Sequence, residues 1–245
     1  MDDKAPLVQF LGLTFNVTNL ISITVVMLIT FFLIFWLSRK PAIKPSGKQN
    51  FLEWIIDFTN NIVGSSLPNS TGQGLRLLAF VLFMVIFVGN QIGLIFQVKV
   101  GDFTYLKSPT ADPIVTMTLA LVMVVLAHFL GVGKLGFPKY FKNAYLSPYA
   151  WMFPLNVIES ITSFLTLGLR LFGNIMAGEV LLNLLGSIAF PHGTLASISW
   201  LGFIPALAGE VIWQGFSVFI GSVQAYVFVT LAMVYVSEKT IVEEL

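Results

Sequence analysis

Four ionisable side chains stand inside otherwise apolar sequence: Glu159, Arg170 and Glu179 in one stretch, and Glu210 in the next. A charge held at bilayer depth costs about 2.5–3.5 kcal/mol on insertion scales, so each needs a partner, water or a purpose. The guanidinium of Arg170 cannot escape that cost by releasing its proton, as an ammonium can, and is a permanent cation. At about 100° per residue, Glu159, Ser163, Thr166, Arg170, Gly173, Asn174 and Ala177 share one helical stripe of small and polar side chains. Small residues there let another helix come close to the arginine. Glu179 lies nine residues beyond Arg170. That is about 13 Å along the axis and roughly the opposite side, too far for an i,i+4 salt bridge.

Carboxylates on either side of a fixed cation are the layout of two offset aqueous inlets, in which acids relay ions and an arginine blocks a leak. In the following stretch Glu210, Gln214, Ser217, Gly221 and Gln224 fall within about 40° of one line, a second polar stripe. Counting about twenty residues back and forward from the intervening turn brings Arg170 and Gln224 to one depth. An amide oxygen there holds a guanidinium without neutralising it. Plainer roles stand beside each of these. Glu159 and Glu210 can be carboxylates at the water boundary, Arg170 can pair with a buried acid of this chain, and Gln224 can be a helix-packing amide. Asn90 and Gln91, in an earlier apolar stretch, line the outer inlet or bind helices together. His128 and His192 read as interfacial residues, not relays.

These residues need elements that carry them through a bilayer, and the composition supplies little else. Of 245 residues 56% are hydrophobic and 10% charged, with a mean hydropathy of +0.87, where soluble domains carry roughly 25% charge. A net charge of +1 gives no footprint for nucleic acid, and the absence of cysteine excludes disulfides, thiolate metal sites and a cysteine nucleophile. The chain has no internal repeat, glycine-rich phosphate loop, Ser/His/Asp spacing or metal-ligand cluster. Nothing in it asks for a cofactor or a catalytic centre. The amino end, Met-Asp-Asp-Lys-Ala-Pro, lacks the basic region of a signal peptide, so the first helix is expected to remain as an anchor.

About 20 apolar residues span the hydrocarbon core. The pattern predicts an all-α integral membrane protein, a single membrane domain over 1–245. Spanning helices are expected at 17–37, 75–96 and 113–131, and two longer ones at 154–190 and 205–237. The last two are each about 50 Å long against a core of roughly 30 Å, so they tilt strongly as a hairpin, with the outer turn at 190–204. Residues 50–67 have Phe51, Ile55, Phe58 and Ile62 at helical spacing with polar residues between them. They form an amphipathic helix at the interface, though a helix in a soluble loop has the same pattern. Residues 98–112 read as an outer loop. Arg39, Lys40, Lys44 and Lys48 after the first helix, and Lys134, Lys139 and Lys142 in the loop after the third, put both segments in the cytoplasm. The amino end is then outside and the carboxyl end inside.

At these residues the chain resembles subunit a of the F-type ATP synthases. The likeness lies in Leu167-Gly-Leu-Arg-Leu-Phe-Gly-Asn-Ile-Met-Ala-Gly-Glu179, with support from Ser108-Pro-Thr-Ala-Asp112, Gly89-Asn-Gln-Ile-Gly-Leu94 and Val223-Gln-Ala-Tyr-Val-Phe228. The resemblance implies a non-catalytic stator in the bacterial plasma membrane that carries protons, or Na⁺, to and from a rotor ring of c subunits. It also implies a b-subunit peripheral stalk and the other synthase subunits as partners, besides membrane lipid. Arg170 would face the ring carboxylates with Gln224 beside it, Glu179 and Asn90 would belong to the outer half-channel, and Glu159 to the inner one. Some members carry a histidine opposite the Glu179 position. Here that residue is Ser217, so ordered water, with Glu210, would have to substitute. The competing expectation is a self-contained secondary ion transporter, which favours inverted repeats and helices broken at mid-membrane.

Overall fold

The computed structural model describes residues 6–10, 13–39, 41–44, 47–67, 73–95, 98–100, 103–147, 149–189 and 200–241. Five helices among them are long and apolar enough to cross a membrane, and the protein is an all-α integral membrane protein. They are α1 (Val17–Ser38), α3 (Gln73–Ile95), α4 (Pro113–Leu135), α6 (Phe153–Ala189) and α7 (Trp200–Thr240). Helix α2 (Lys48–Ser66) lies between the first two spans, and a short helix α5 (Phe137–Tyr145) between α4 and α6.

The starts of two spans are written in the chain. Asn16 caps α1, its side chain accepting from the Asn19 amide at 3.4 Å. Asp112 caps α4, its carboxylate accepting from the Ile114 amide at 2.8 Å, with Pro113 in the first helical position. Gly136, at φ 75°, ends α4 and turns the chain into α5, a conformation that side chains with a β-carbon rarely adopt.

Helix α7 runs through the middle of the bundle and touches α2, α3, α4 and α6. Its Ala225, Phe228, Val229, Ala232, Met233 and Val236 are buried against Leu167 and Leu171 of α6, Ala120, Met123 and Ala127 of α4, and Ala79, Leu82 and Ile86 of α3. Between membrane helices van der Waals contact replaces the hydrophobic drive, so alanines and glycines set how closely the backbones come. Gly168 of α6 shows the effect: a β-carbon there would lie 3.3 Å from the Met117 Cα of α4. Helix α2 packs Leu52, Ile55, Thr59, Ile62 and Val63 inward, and its Phe58 ring meets Phe83 of α3 and Tyr226 of α7 at 5.5 and 5.6 Å. Phe51, on the apolar side of the same helix, is exposed.

Four elements depart from the sequence expectation. The segment 98–112 is not plain loop: β3 (Val98–Val100) pairs antiparallel with β4 (Phe103–Leu106), and a 3-10 turn (Pro109–Ala111) follows. A second hairpin, β1 (Leu7–Phe10) with β2 (Leu13–Asn16), precedes α1. Residues after Gly136, expected as loop, form α5. Helix α7 begins at Trp200, not at Pro205; the proline sits inside it, near enough to the start that few intrahelical bonds are lost. The remaining outer turn, 190–199, with His192, lies outside the described residues.

Candidate functional site: a polar path along the last two helices

Helices α6 and α7 are long antiparallel neighbours of 37 and 41 residues. At 1.5 Å per residue they run about 55 and 60 Å, nearly twice a bilayer core, and must tilt. Their register is fixed by contacts in the half nearest residues 190–199. The Trp213 indole N–H donates to the Gly178 carbonyl at 3.3 Å. A β-carbon on Gly178 would lie 3.7 Å from Ser217 Oγ, and one on Gly209 would lie 3.3 Å from Leu185. Continued along the pair, this register brings position 170 level with position 224. No hydrogen bond joins Arg170 to Gln224, and among the described residues the Arg170 side chain has no hydrogen bond or ion pair.

Helix α6 is two-sided. Leu167, Gly168, Leu171, Ile175 and Gly178 face inward, while Glu159, Arg170, Gly173 and Ala177 are exposed and Ser163, Thr166 and Asn174 half-buried. The stripe read from the sequence is therefore the face that this chain leaves uncovered. Around Gly173 it is bare: a β-carbon there would meet no atom within 4 Å.

Cavities flank the arginine on both sides. Towards the start of α6 is a space of about 480 Å³ walled by His128, Asn156, Glu159, Ser163, Tyr235 and Glu238, among others. A second, of about 360 Å³, shares Glu159, Ser163 and Tyr235 with it and reaches Thr166, one turn short of Arg170. One turn beyond Arg170, Asn174, Gly178, Trp213 and Ser217 enclose a separate space of about 60 Å³. Asn174 Nδ2 and Ser217 Oγ are buried there without a protein partner. Polar atoms around a space of that size are the setting in which buried water is held. Arg170 lines none of these three spaces.

The other expected residues are distributed as follows. Glu179 and Gln224 are half-buried, and Glu210 is exposed near the start of α7. Asn90 is fully buried, and its amide is engaged at both ends. Nδ2 donates to the Gly221 carbonyl of α7 at 2.9 Å, and Oδ1 accepts from Thr110 Oγ1 at 2.7 Å. Thr110 in turn meets Ser108 Oγ at 2.7 Å. Gln91 donates to the Val218 carbonyl and to Ser222, both at 3.2 Å. Nearby, Asn19 Nδ2 donates to Asp112 Oδ2 at 2.7 Å, fastening α1 to the start of α4.

His128 walls the large space beside Glu159, where its Nε2 lies 3.2 Å from the Tyr145 hydroxyl. Asn156 donates to the Tyr145 and Ser147 carbonyls at 3.0 and 3.1 Å, and Asn143 to the Ile241 carbonyl at 3.2 Å, closing α5 over the same space. Burial, together with the Tyr145 phenol beside it, pushes the Tyr140 phenol of α5 above its ordinary range, so it stays neutral. Sequence reasoning missed Glu238 and Asn156. Glu238 follows the apolar run directly and helix α7 continues through it, which was the available signal. Among the described residues no group of three or more His, Cys, Asp or Glu could hold a metal ion.

Five helices long and apolar enough to cross a membrane, the last two carrying polar side chains and an arginine unpaired among the described residues, define a multi-pass membrane protein. The model of the family described as ATP synthase A chain matches residues 20–237. The ATP synthase subunit a of Pediococcus pentosaceus is 54% identical over 94% of both chains. That of Enterococcus hirae is 47% identical over the whole of both, and that of Listeria monocytogenes 43% identical over 98% of both. The chain belongs to the ATP synthase subunit a family. It is a multi-pass bacterial membrane protein whose partners are other ATP synthase subunits, and its process is ATP synthesis with ion transport.

Proposed function

We propose that this subunit carries protons, or Na⁺, through two offset half-channels to and from carboxylates on a rotor ring of c subunits, with Arg170 as the barrier between them. The observation that carries the reading is the unpaired, exposed Arg170 on a small-residue face, one turn from a polar space on either side. A permanent cation in a membrane wants a counter-charge. This chain offers none at that place among its described residues, so the counter-charge belongs to another chain.

An ion enters on the outer side past Glu179 and the Asn174–Ser217 space, where held water stands in for the histidine of other family members. It neutralises a ring carboxylate, whose desolvation cost then falls enough for it to turn into lipid. After nearly a full turn that carboxylate meets the inner space at Glu159 and discharges, with Glu238 and His128 in the same wall. Arg170 bars the direct route, and Gln224, level with it, offers the guanidinium an amide oxygen as the ring carboxylate leaves. Asn90, its amide spent on Gly221 and Thr110, holds α7 at the depth that brings Gln224 to Arg170. Glu210 acts at the outer mouth. The lysines and Arg39 at one end of the bundle put that end, and the carboxyl terminus, in the cytoplasm. The chain performs no catalysis itself; the b-subunit stalk holds it against the ring while nucleotide chemistry proceeds elsewhere.

Arg170→Ala is the test. Coupled ATP synthesis should vanish while the complex stays assembled, and normal coupled turnover in that variant would overturn the reading. The rival, a self-contained transporter, requires the purified chain alone to move ions in liposomes; copurification with a ring of small hairpin proteins argues against it.

A further inference from the structure

Helices α4 and α6 are both spans, and the segment joining them lies where the bundle leaves the hydrocarbon. From 131 to 152 it carries three lysines, Lys134, Lys139 and Lys142, and no Asp or Glu. All three are exposed, and among the described residues their ammonium groups have no hydrogen bond or ion pair. Beside them stand large exposed rings: Phe137 is 67% and Trp151 75% exposed. The Phe137 and Phe141 rings stack at 6.3 Å. Helix α5 is thus two-faced, with Tyr140 and Ala144 buried on its inner side.

The two halves of this surface exclude the alternatives between them. A water-facing turn has no use for Phe137, Phe141 and Trp151 laid open, and hydrocarbon does not hold three unpaired ammonium groups. Only the headgroup layer accepts rings and lysines together. Phosphodiester oxygens supply the anions that the chain itself withholds. We propose that α5 and the turn after it form a binding site for anionic phospholipid, the lysines holding the phosphodiester while the rings enter the acyl boundary. The inner side of the same helix closes the large cavity through Tyr145 on His128 and Asn143 on Ile241. A lipid seated on α5 therefore braces a wall of that cavity. The proposal does not depend on the rotor reading.

The test uses the complete ATP synthase in phosphatidylcholine nanodiscs with a minority of photoactivatable phosphatidylglycerol, and measures cross-linked lipid on the peptides spanning 131–153. Each lysine near an anionic surface contributes about 1 kcal/mol, or about fivefold, so K134Q/K139Q/K142Q should cut labelling by at least tenfold and up to about 100-fold. The triple arginine variant should keep it, added salt should weaken it, and a photoactivatable phosphatidylcholine should label wild-type and glutamine forms alike. Equal phosphatidylglycerol labelling in wild-type and glutamine forms overturns the proposal. So does an equal loss of both probes, which makes the lysines matter to the fold alone. Displacement by excess inorganic phosphate overturns it as well, because the site then takes any free anion.

Discussion

Gly173→Leu separates a face that another chain slides along from one that merely meets lipid. Gly173 is exposed, lies on the Arg170 side of α6, and has no atom within 4 Å of where a β-carbon would stand. Within this chain the β-carbon of a leucine there meets nothing within 4 Å, and helix propensity favours leucine over glycine by roughly 0.5–1 kcal/mol. The subunit should insert and assemble normally. Against a packed partner the added carbons are overpacking, worth typically about 1–3 kcal/mol. If the partner must pass that point at every step, the cost enters the barrier, and turnover falls between about fivefold and about 150-fold. Gly186→Leu is the control: it too is open, and it lies thirteen residues along the same helix, about 20 Å from the arginine turn. The assay is ATP-driven acidification of inverted vesicles, read by dye quenching and normalised to subunit content. Normal acidification by Gly173→Leu at normal subunit content would refute the argument, because no moving surface then occupies that face.

Two further substitutions probe the frame that holds the path. Gly131→Ala sets a β-carbon 2.7 Å from the Tyr140 ring and 2.5 Å from the Lys239 carbonyl. It should lower the stability of the subunit by about 1–3 kcal/mol, read as a lower melting temperature of the complex, by forcing α5 and the end of α7 off α4. Thr110→Val removes the hydroxyl that joins Asn90 Oδ1 to Ser108 Oγ. Interhelical side-chain bonds in membranes average about 0.6 and reach about 1.7 kcal/mol, so the two bonds together give a loss of about 1–3 kcal/mol. Thr110→Ser, which keeps the hydroxyl, should melt like wild type, and equal melting of the valine form would reject the network.

The spans were legible because hydropathy is summed over about twenty residues and a few polar interruptions do not erase it. Shorter elements escaped for the opposite reason. Helix α5 has nine residues, four of them aromatic and two of them lysine, which reads as loop when its apolar side is averaged with its charged one. The β3–β4 hairpin rests on strands of three and four residues, too short for alternation to register. The last apolar run is expected from Pro205, whereas α7 begins at Trp200. The Arg170 stripe could be drawn from period alone, since it belongs to one helix. The inner cavity could not: His128, Asn143, Glu159 and Glu238 come from α4, α5, α6 and α7, and only packing brings them to one space. The same holds for Asn90, whose bonds reach from α3 to the 3-10 turn and to α7.

The one-sidedness of α6 also bears on how the protein is made. On the proposed function, a newly inserted copy presents Arg170 to acyl chains until a neighbour arrives, a burden of about 2.5–3.5 kcal/mol on insertion scales. Copies made in excess of their neighbours keep that burden for as long as they stay alone. Biogenesis is most economical when this subunit joins last, onto a surface already waiting for it.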